Sequence, residues 1–276
     1  MEIIDAHQHL WQLARLECQW PTPDLTPIYR DFSAADFNAV SGPVGVSGSV
    51  LVQSQPCAAD TEYLLQQAEV NAGVGAVVGW ADLAAPESPR CIAQLALHRK
   101  LRGLRPMLQC IAEPDWIIQP AQAPGLEAMI TARLSLDALI SSRHLGAIRQ
   151  LAARYPELNI IIDHGAKPNI AEGQWGDWYE PLAALAAQAN VSCKLSGLIT
   201  EAATSAELTQ TGRYIEALWR LFGPDRLLWG SDWPVLNLQS DYPSWLTFCR
   251  QWLNANAPEA EAAVLAGNAK RLYRIQ

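Results

Sequence analysis

The chain has 276 residues, 50% of them apolar, with 20 Lys plus Arg against 28 Asp plus Glu and a net charge of −8. That is enough apolar material for a substantial core, and an acidic balance without a basic run argues against nucleic acid or an anionic membrane as partner. The start Met1-Glu2-Ile3-Ile4-Asp5 does not read as a signal peptide, no stretch approaches the ~20 apolar residues that span a bilayer, and the six scattered cysteines form no C-x-x-C pair, so a cytoplasmic chain with free thiols is expected.

Read in order, short apolar, strand-like runs alternate with Ala- and Leu-rich stretches of helical spacing. Strands are predicted at 3–7, 46–53, 76–81, 103–109, 134–140, 159–163, 191–196 and 227–231. Helical stretches between them include 61–71, 89–100, 145–155, 180–189 and 212–222. Such alternation implies a parallel sheet. A (β/α)8 TIM barrel needs roughly 250 residues, and eight units in this length favour that closed barrel over an open doubly wound sheet. No G-x-G-x-x-G follows any strand, which removes the main support for dinucleotide binding. No Gly-, Pro- or Ser-rich linker divides the chain, so residues 1–276 are read as a single domain slightly elaborated by βα loops. The Pro-rich stretch 21–27 and the Trp-containing stretch 174–179 are read as two such loops over one rim.

Three segments lie at the ends of apolar runs: Asp5-Ala6-His7-Gln8-His9, Asp163-His164-Gly165 and Gly230-Ser231-Asp232. In a parallel barrel the C-terminal strand ends form the rim where chemistry resides. His7 and His9 are two apart, so both imidazoles point to one face of the strand; alone, such a pair also fits two histidines satisfied by structural hydrogen bonds. His164 sits at a strand–loop junction set by Gly165 and Pro168, as a rim group or a packed neutral imidazole. Asp232 follows the last strand, which closes beside the first; a helix N-cap is the competing role. His7, His9, His164 and Asp232 would suit one Zn²⁺. The fourth strand offers no Lys or Glu to bridge a second ion, so at most one divalent metal is expected. Metal-free catalysis stays open, because imidazoles can polarise a carbonyl unaided.

Ile4-Asp5-Ala6-His7-Gln8-His9-Leu10-Trp11, Asp163-His164-Gly165-Ala166-Lys167-Pro168, Lys194-Leu195-Ser196-Gly197-Leu198 and Trp229-Gly230-Ser231-Asp232-Trp233-Pro234 together resemble the amidohydrolase superfamily. More narrowly, they resemble its sugar-lactonase branch, a cousin of the pyrone-dicarboxylate lactonases. The similarity runs from residue 3 to Gly267-Asn268-Ala269-Lys270-Arg271-Leu272-Tyr273. The resemblance implies hydrolysis of a cyclic ester, a sugar-acid lactone, with Asp232 as the general base and His7, His9 and His164 as rim histidines. His164 is placed with Asp232 in catalysis as well as among the metal candidates. Members of the branch differ in their need for a divalent metal. Relatives often carry His after the strand-four Arg, where this chain has Pro106, which leaves the exact lactone open.

For substrate binding the expected contacts are Arg105 to a carbonyl or carboxylate, His144 to a hydroxyl, Gln53 as a polar strand-end group and Trp11 stacked on the ring. Each has a structural alternative: a surface salt bridge, a helix cap, a backbone hydrogen bond and core packing. Lys167 and Lys194 are left between pocket and ion pair, and His98 reads as solvated. A metal-dependent decarboxylase or amide hydrolase on the same scaffold, and a sugar-acid binding protein with a relict site, are the competing functions. A homo-oligomer is left open.

Overall fold

The strands are short and almost wholly buried, with apolar residues interrupted by polar ones that the barrel interior pairs, the condition of a parallel sheet lined by helices outside and side chains inside. The computed structural model describes residues 1–202 and 208–276. The strands are β1 Ile4–Gln8, β2 Gly48–Val52, β3 Val74–Gly79, β4 Leu101–Leu104, β5 Ser135–Ala138, β6 Ile160–Ile162, β7 Val191–Leu195 and β8 Leu227–Trp229. They pair in parallel in the order β1 to β8. The helices are α1 Ala34–Ser41, α2 Ala58–Val70, α3 Ser88–Leu95, α4 Ala123–Thr131, α5 Leu145–Arg154, α6 Gly176–Ala186, α7 Leu208–Arg226, α8 Tyr242–Asn256 and a short terminal α9 Asn268–Tyr273. This is the (β/α)8 barrel expected from the alternation.

Two differences from the sequence reading have physical causes. β4 ends at Leu104, not near residue 109, because Pro106 brings no amide hydrogen to continue the ladder. The stretch 174–179 is only partly loop: α6 starts at Gly176, and Trp178 is buried with its indole N–H donating to Gly165 O at 2.6 Å. The Pro-rich stretch does run over the rim, pinned by Gln55, whose amide donates to Trp20 O at 2.7 Å and accepts from Gln19 N at 3.1 Å. All six cysteines are free thiols. Among the described residues no helix is long and apolar enough to cross a membrane.

Two apolar clusters divide the core. The larger lies between strands and helices; the smaller joins Ile4, Ala6, Val50, Val52, Ala76, Val78, Ile161 and Leu228 with Ala266, Ala269 and Tyr273. The β1–β2 register slips between Asp5 and Gln8. Before the slip, Ile4 and Ala6 belong to the smaller cluster while Asp5 turns to Tyr242 of α8. Beyond it, His7 and His9 point together, as their spacing requires.

The barrel closes where β8 meets β1. Gln8 bridges to Trp233, His9 N donates to Trp233 O at 2.8 Å, and Asp232 N donates to His7 O at 2.8 Å. Gly230 permits this approach: a Cβ there would lie 2.9 Å from His7 Cβ. The Asp5 carboxylate sits in the seam and takes four donors. These are His7 N at 3.0 Å, Ser231 N at 2.9 Å, Ser231 Oγ at 2.6 Å and Tyr242 OH at 2.8 Å.

Burial pushes the Asp5 carboxyl up to about 6 against the pull of those donors. Its folded value lies above the unfolded 3.8, so the native state holds this proton more tightly. The resulting stabilisation is full below the unfolded value and is lost as pH rises through about 6, a swing of about 3 kcal/mol. Asp5→Asn cannot titrate. The unfolding free energy of wild type minus that of Asp5→Asn, from urea melts, should therefore fall by up to about 3 kcal/mol between about pH 4 and 7. A flat difference would remove the burial effect.

Candidate active site

Asp232 stands just past β8 with φ 60, a left-handed conformation that a residue other than glycine adopts at some cost in strain. Its amide is tied to His7 O, so the carboxylate turns toward the imidazoles. Its Oδ1 lies 3.3 Å from His9 Nε2, 3.6 Å from His7 Nε2 and 3.8 Å from His164 Nε2. Four side chains from the ends of β1, β6 and β8, remote in sequence, thus surround one point. Burial raises the Asp232 carboxyl, but His164, His9 and His7 outweigh it and hold it below the usual carboxylate range.

His164 follows β6 in a left-handed turn, with φ 54. Its Nδ1 meets Ser196 Oγ at 2.9 Å, and burial lowers its pKa to about 4. The ring fits because residue 197 is glycine: at φ +63, a Cβ there would lie 2.5 Å from His164 Nδ1. His9 Nδ1 is 2.8 Å from Val52 O, a carbonyl that can only accept. His9 therefore carries a proton on Nδ1, and its Nε2 faces Asp232 and His7, whose Nε2 is 3.1 Å away.

His7 is completely buried beneath this group. Its Nδ1 lies 3.2 Å from Lys194 Nζ and 3.4 Å from Asp163 Oδ1, and its Nε2 lies 3.3 Å from Arg105 Nη1. Lys194 is paired with Asp137 at 2.6 Å and with Asp163 at 2.9 Å; Arg105 is paired with Asp163 at 3.1 Å. Tyr273 of α9 donates to Asp137 at 2.5 Å. Burial alone would discharge Lys194 and Asp163, but pairing wins at both: Asp137 and Asp163 raise the Lys194 pKa, and Lys194, His7 and Arg105 hold Asp163 well below the usual range. Two carboxylates and two cations make this layer electrically balanced, with Asp232 as one further negative charge above it.

A cavity of about 450 Å³ opens above the layer. His9, Arg105, His164 and Asp232 lie on its polar side, and Trp20, Leu25, Met107, Leu139, Val235 and Leu238 supply apolar wall. Lys167 and Glu201, paired at 2.6 Å, add charge at its edge.

Of the substrate contacts expected from sequence, only Arg105 lines this cavity. Trp11 is buried against Trp20 and Phe32, its indole N–H bound to Arg30 O at 2.8 Å. Gln53 is buried behind Arg105 and donates to Arg105 O at 2.8 Å, while the guanidinium donates back to Gln53 O. His144 is a cap: its Nδ1 lies 3.2 Å from Ser141 N and its Nε2 3.1 Å from Leu108 O. These three side chains serve the frame: the Trp11 indole, the His144 ring nitrogens and the Gln53 amide nitrogen are taken up by backbone groups. The sequence reading missed Asp137 and Asp163 and left Lys194 unassigned. Their signal was present, as each is a charge inside or at the end of an apolar strand, where only pairing makes burial tolerable.

The donor set fits a divalent cation. Two groups of buried ligand atoms lie close enough to share one ion: His7, His9 and Asp232, and His7, Asp163 and His164. His9 Nε2 and the unprotonated Asp232 carboxylate face the same space, and a neutral His9 with its proton on Nδ1 would offer an ion that nitrogen.

The amidohydrolase family model matches residues 4–275. The chain belongs to the amidohydrolase family. An L-fucono-1,5-lactonase of Burkholderia ambifaria is 47% identical over 99% of this chain and 95% of its own length. An L-fucono-1,5-lactonase of Burkholderia multivorans is 31% identical over 99% of this chain and 96% of its own length. A crystal structure of a zinc-bound amidohydrolase from Burkholderia multivorans superposes with a TM-score of 0.94, at 30% identity and full coverage of both chains.

The glycine facing His164 gives a test within this amidohydrolase. Gly197→Ala should lower stability by about 1–3 kcal/mol, from the strained φ and the collision with the ring. Gly42→Ala, at φ −60 with open space, should change it by less than about 1 kcal/mol. Equal thermal shifts in the two variants would contradict this geometry.

Proposed function

We propose that the protein is a lactonase that opens a sugar-acid lactone, with L-fucono-1,5-lactone as its substrate. One observation carries the proposal: an ionised carboxylate stands between three imidazoles on the floor of a cavity sized for a small sugar ring. The substrate assignment is supported by the two lactonase relatives, at 47% and 31% identity over nearly the whole chain. A 1,5-lactone of this kind is a six-membered cyclic ester carrying hydroxyls and one methyl. The cavity offers both kinds of contact, with the apolar wall for the methyl and ring face and polar groups for the hydroxyls.

Hydrolysis requires water to attack the lactone carbonyl while losing a proton. Asp232 accepts that proton, and its low pKa keeps it ionised and ready over a wide pH range. Negative charge then gathers on the carbonyl oxygen. His164 can donate to that oxygen from Nε2 when the Ser196 hydroxyl donates to Nδ1, and the fixed charge of Arg105 beneath adds attraction through space in a site shielded from bulk water. As the ring C–O bond breaks, the proton held by Asp232 passes to the departing ring oxygen, which becomes a hydroxyl, and the carboxylate is regenerated. A divalent ion, when held by His7, His9, His164 and Asp232, would polarise the carbonyl and acidify the water. Zn²⁺ suits these donors and is the metal we propose for the site.

A decarboxylase or amide-hydrolase assignment rests on the shared scaffold alone. The relict-site reading sits poorly with a carboxylate, three imidazoles and a guanidinium all held in place. Asp232→Asn should lower kcat for L-fucono-1,5-lactone by about 10²–10⁴-fold in a pH-indicator assay of acid release, with the native circular dichroism spectrum retained. A near-normal rate in that variant would remove Asp232 from the mechanism. No hydrolysis of this lactone by the wild type would remove the substrate.

A further inference from the structure

Arg105 was expected to reach outward to a substrate, yet its guanidinium is engaged inward. Nη1 lies 3.1 Å from Asp163 Oδ2 and 3.3 Å from His7 Nε2, Nη2 donates to Gln53 O, and Nε is buried with no hydrogen-bond partner among the described residues. These contacts fall on the metal-capable groups. Both sets of ligand atoms include His7, and the second also includes Asp163.

A neutral imidazole has one lone pair, and two cations approach that of His7: Lys194 at Nδ1 and Arg105 at Nε2. Lys194 already has Asp137 and Asp163 as acceptors, and Asp163 also lies 3.4 Å from Nδ1, where it can take the ring proton. The lone pair then resides on Nε2, against Arg105. A metal ion ligated by that nitrogen would sit about 2.1 Å from it along the same lone pair. The guanidinium hydrogen and the ion cannot share that direction, and their like charges repel in a site shielded from water.

We propose that Arg105 is a built-in rival of divalent metal for His7, a fixed unit charge that weakens metal binding at the site. The guanidinium cannot lose its proton at any ordinary pH, and its bonds to Asp163 and Gln53 hold it in place. The rivalry is therefore permanent. Metal occupancy depends on how far an ion can use His9, His164 and Asp232 without His7, or displace the arginine. This inference concerns the site and does not depend on the identity of the lactone.

The test is a Zn²⁺ titration of chelator-treated protein against a chromophoric indicator, so the readout is binding and not turnover. Arg105→Met removes the rival, while Asp163 keeps its pairing with Lys194. Arg105→Gln removes the charge but retains an amide, and carries the test if the Met variant does not fold. Either variant should bind Zn²⁺ at least about tenfold more tightly than wild type, within the range that groups around metal ligands are known to exert. The gain should vanish when His7→Ala is added. Equal or weaker affinity in the folded Arg105 variant would overturn the proposal. So would a gain that survives the loss of His7, because the tighter ion would then lie elsewhere.

Discussion

The Asp5 carboxylate is the constraint on which the site depends. Strands β1 and β8 supply the proposed general base and two of the three imidazoles, and Asp5 joins their ends with four hydrogen bonds, one from α8. The backbone hydrogen bonds beyond it, from Asp232 N to His7 O and from His9 N to Trp233 O, then set the Asp232 carboxylate 3.3 to 3.8 Å from the imidazoles. A parallel barrel must join its last strand to its first, and the chain uses that join to assemble its chemistry. This join brings residues 5, 7, 9 and 232 together although more than two hundred positions separate them.

Beneath the site lies a second constraint, the balanced layer of Asp137, Asp163, Lys194 and Arg105. Charges removed from water are costly unless paired, and here the pairing runs across β4, β5, β6 and β7. The layer shapes what His7 can do. Fully buried and flanked by cations, His7 acts from below, while His9, His164 and Asp232 face the cavity. The left-handed backbones at His164 and Asp232 show where the chain accepts strain to aim these groups.

Much of this was legible in the sequence. Alternating apolar runs and Ala-rich helices give eight strands in order, and the polar residues ending the first, sixth and eighth mark the rim. The spacing of His7 and His9 places both on one face even though a register slip precedes them. Less legible were the residues whose roles depend on partners distant in the chain. Asp137 and Lys194 each look like an isolated charge in a strand, and only the barrel shows that they neutralise each other. Trp11, Gln53 and His144 lie outside the cavity lining, because a polar side chain near a strand end can turn either to the cavity or to nearby backbone. Local sequence does not distinguish the two. The extent of β4 was misread because its apolar residues continue past Pro106, where the hydrogen-bond ladder cannot.

The central claim is that the seam between β1 and β8 acts on the chemistry through Asp232. A double-mutant cycle on kcat for L-fucono-1,5-lactone, pairing Ser231→Ala with Asp232→Asn, tests it most directly. Ser231→Ala removes the hydroxyl that joins β8 to Asp5. It should lower kcat with little change in KM, and it should have almost no further effect once Asp232 is Asn. Full additivity of the two losses would show that the seam merely supports the fold and has no part in aiming the base.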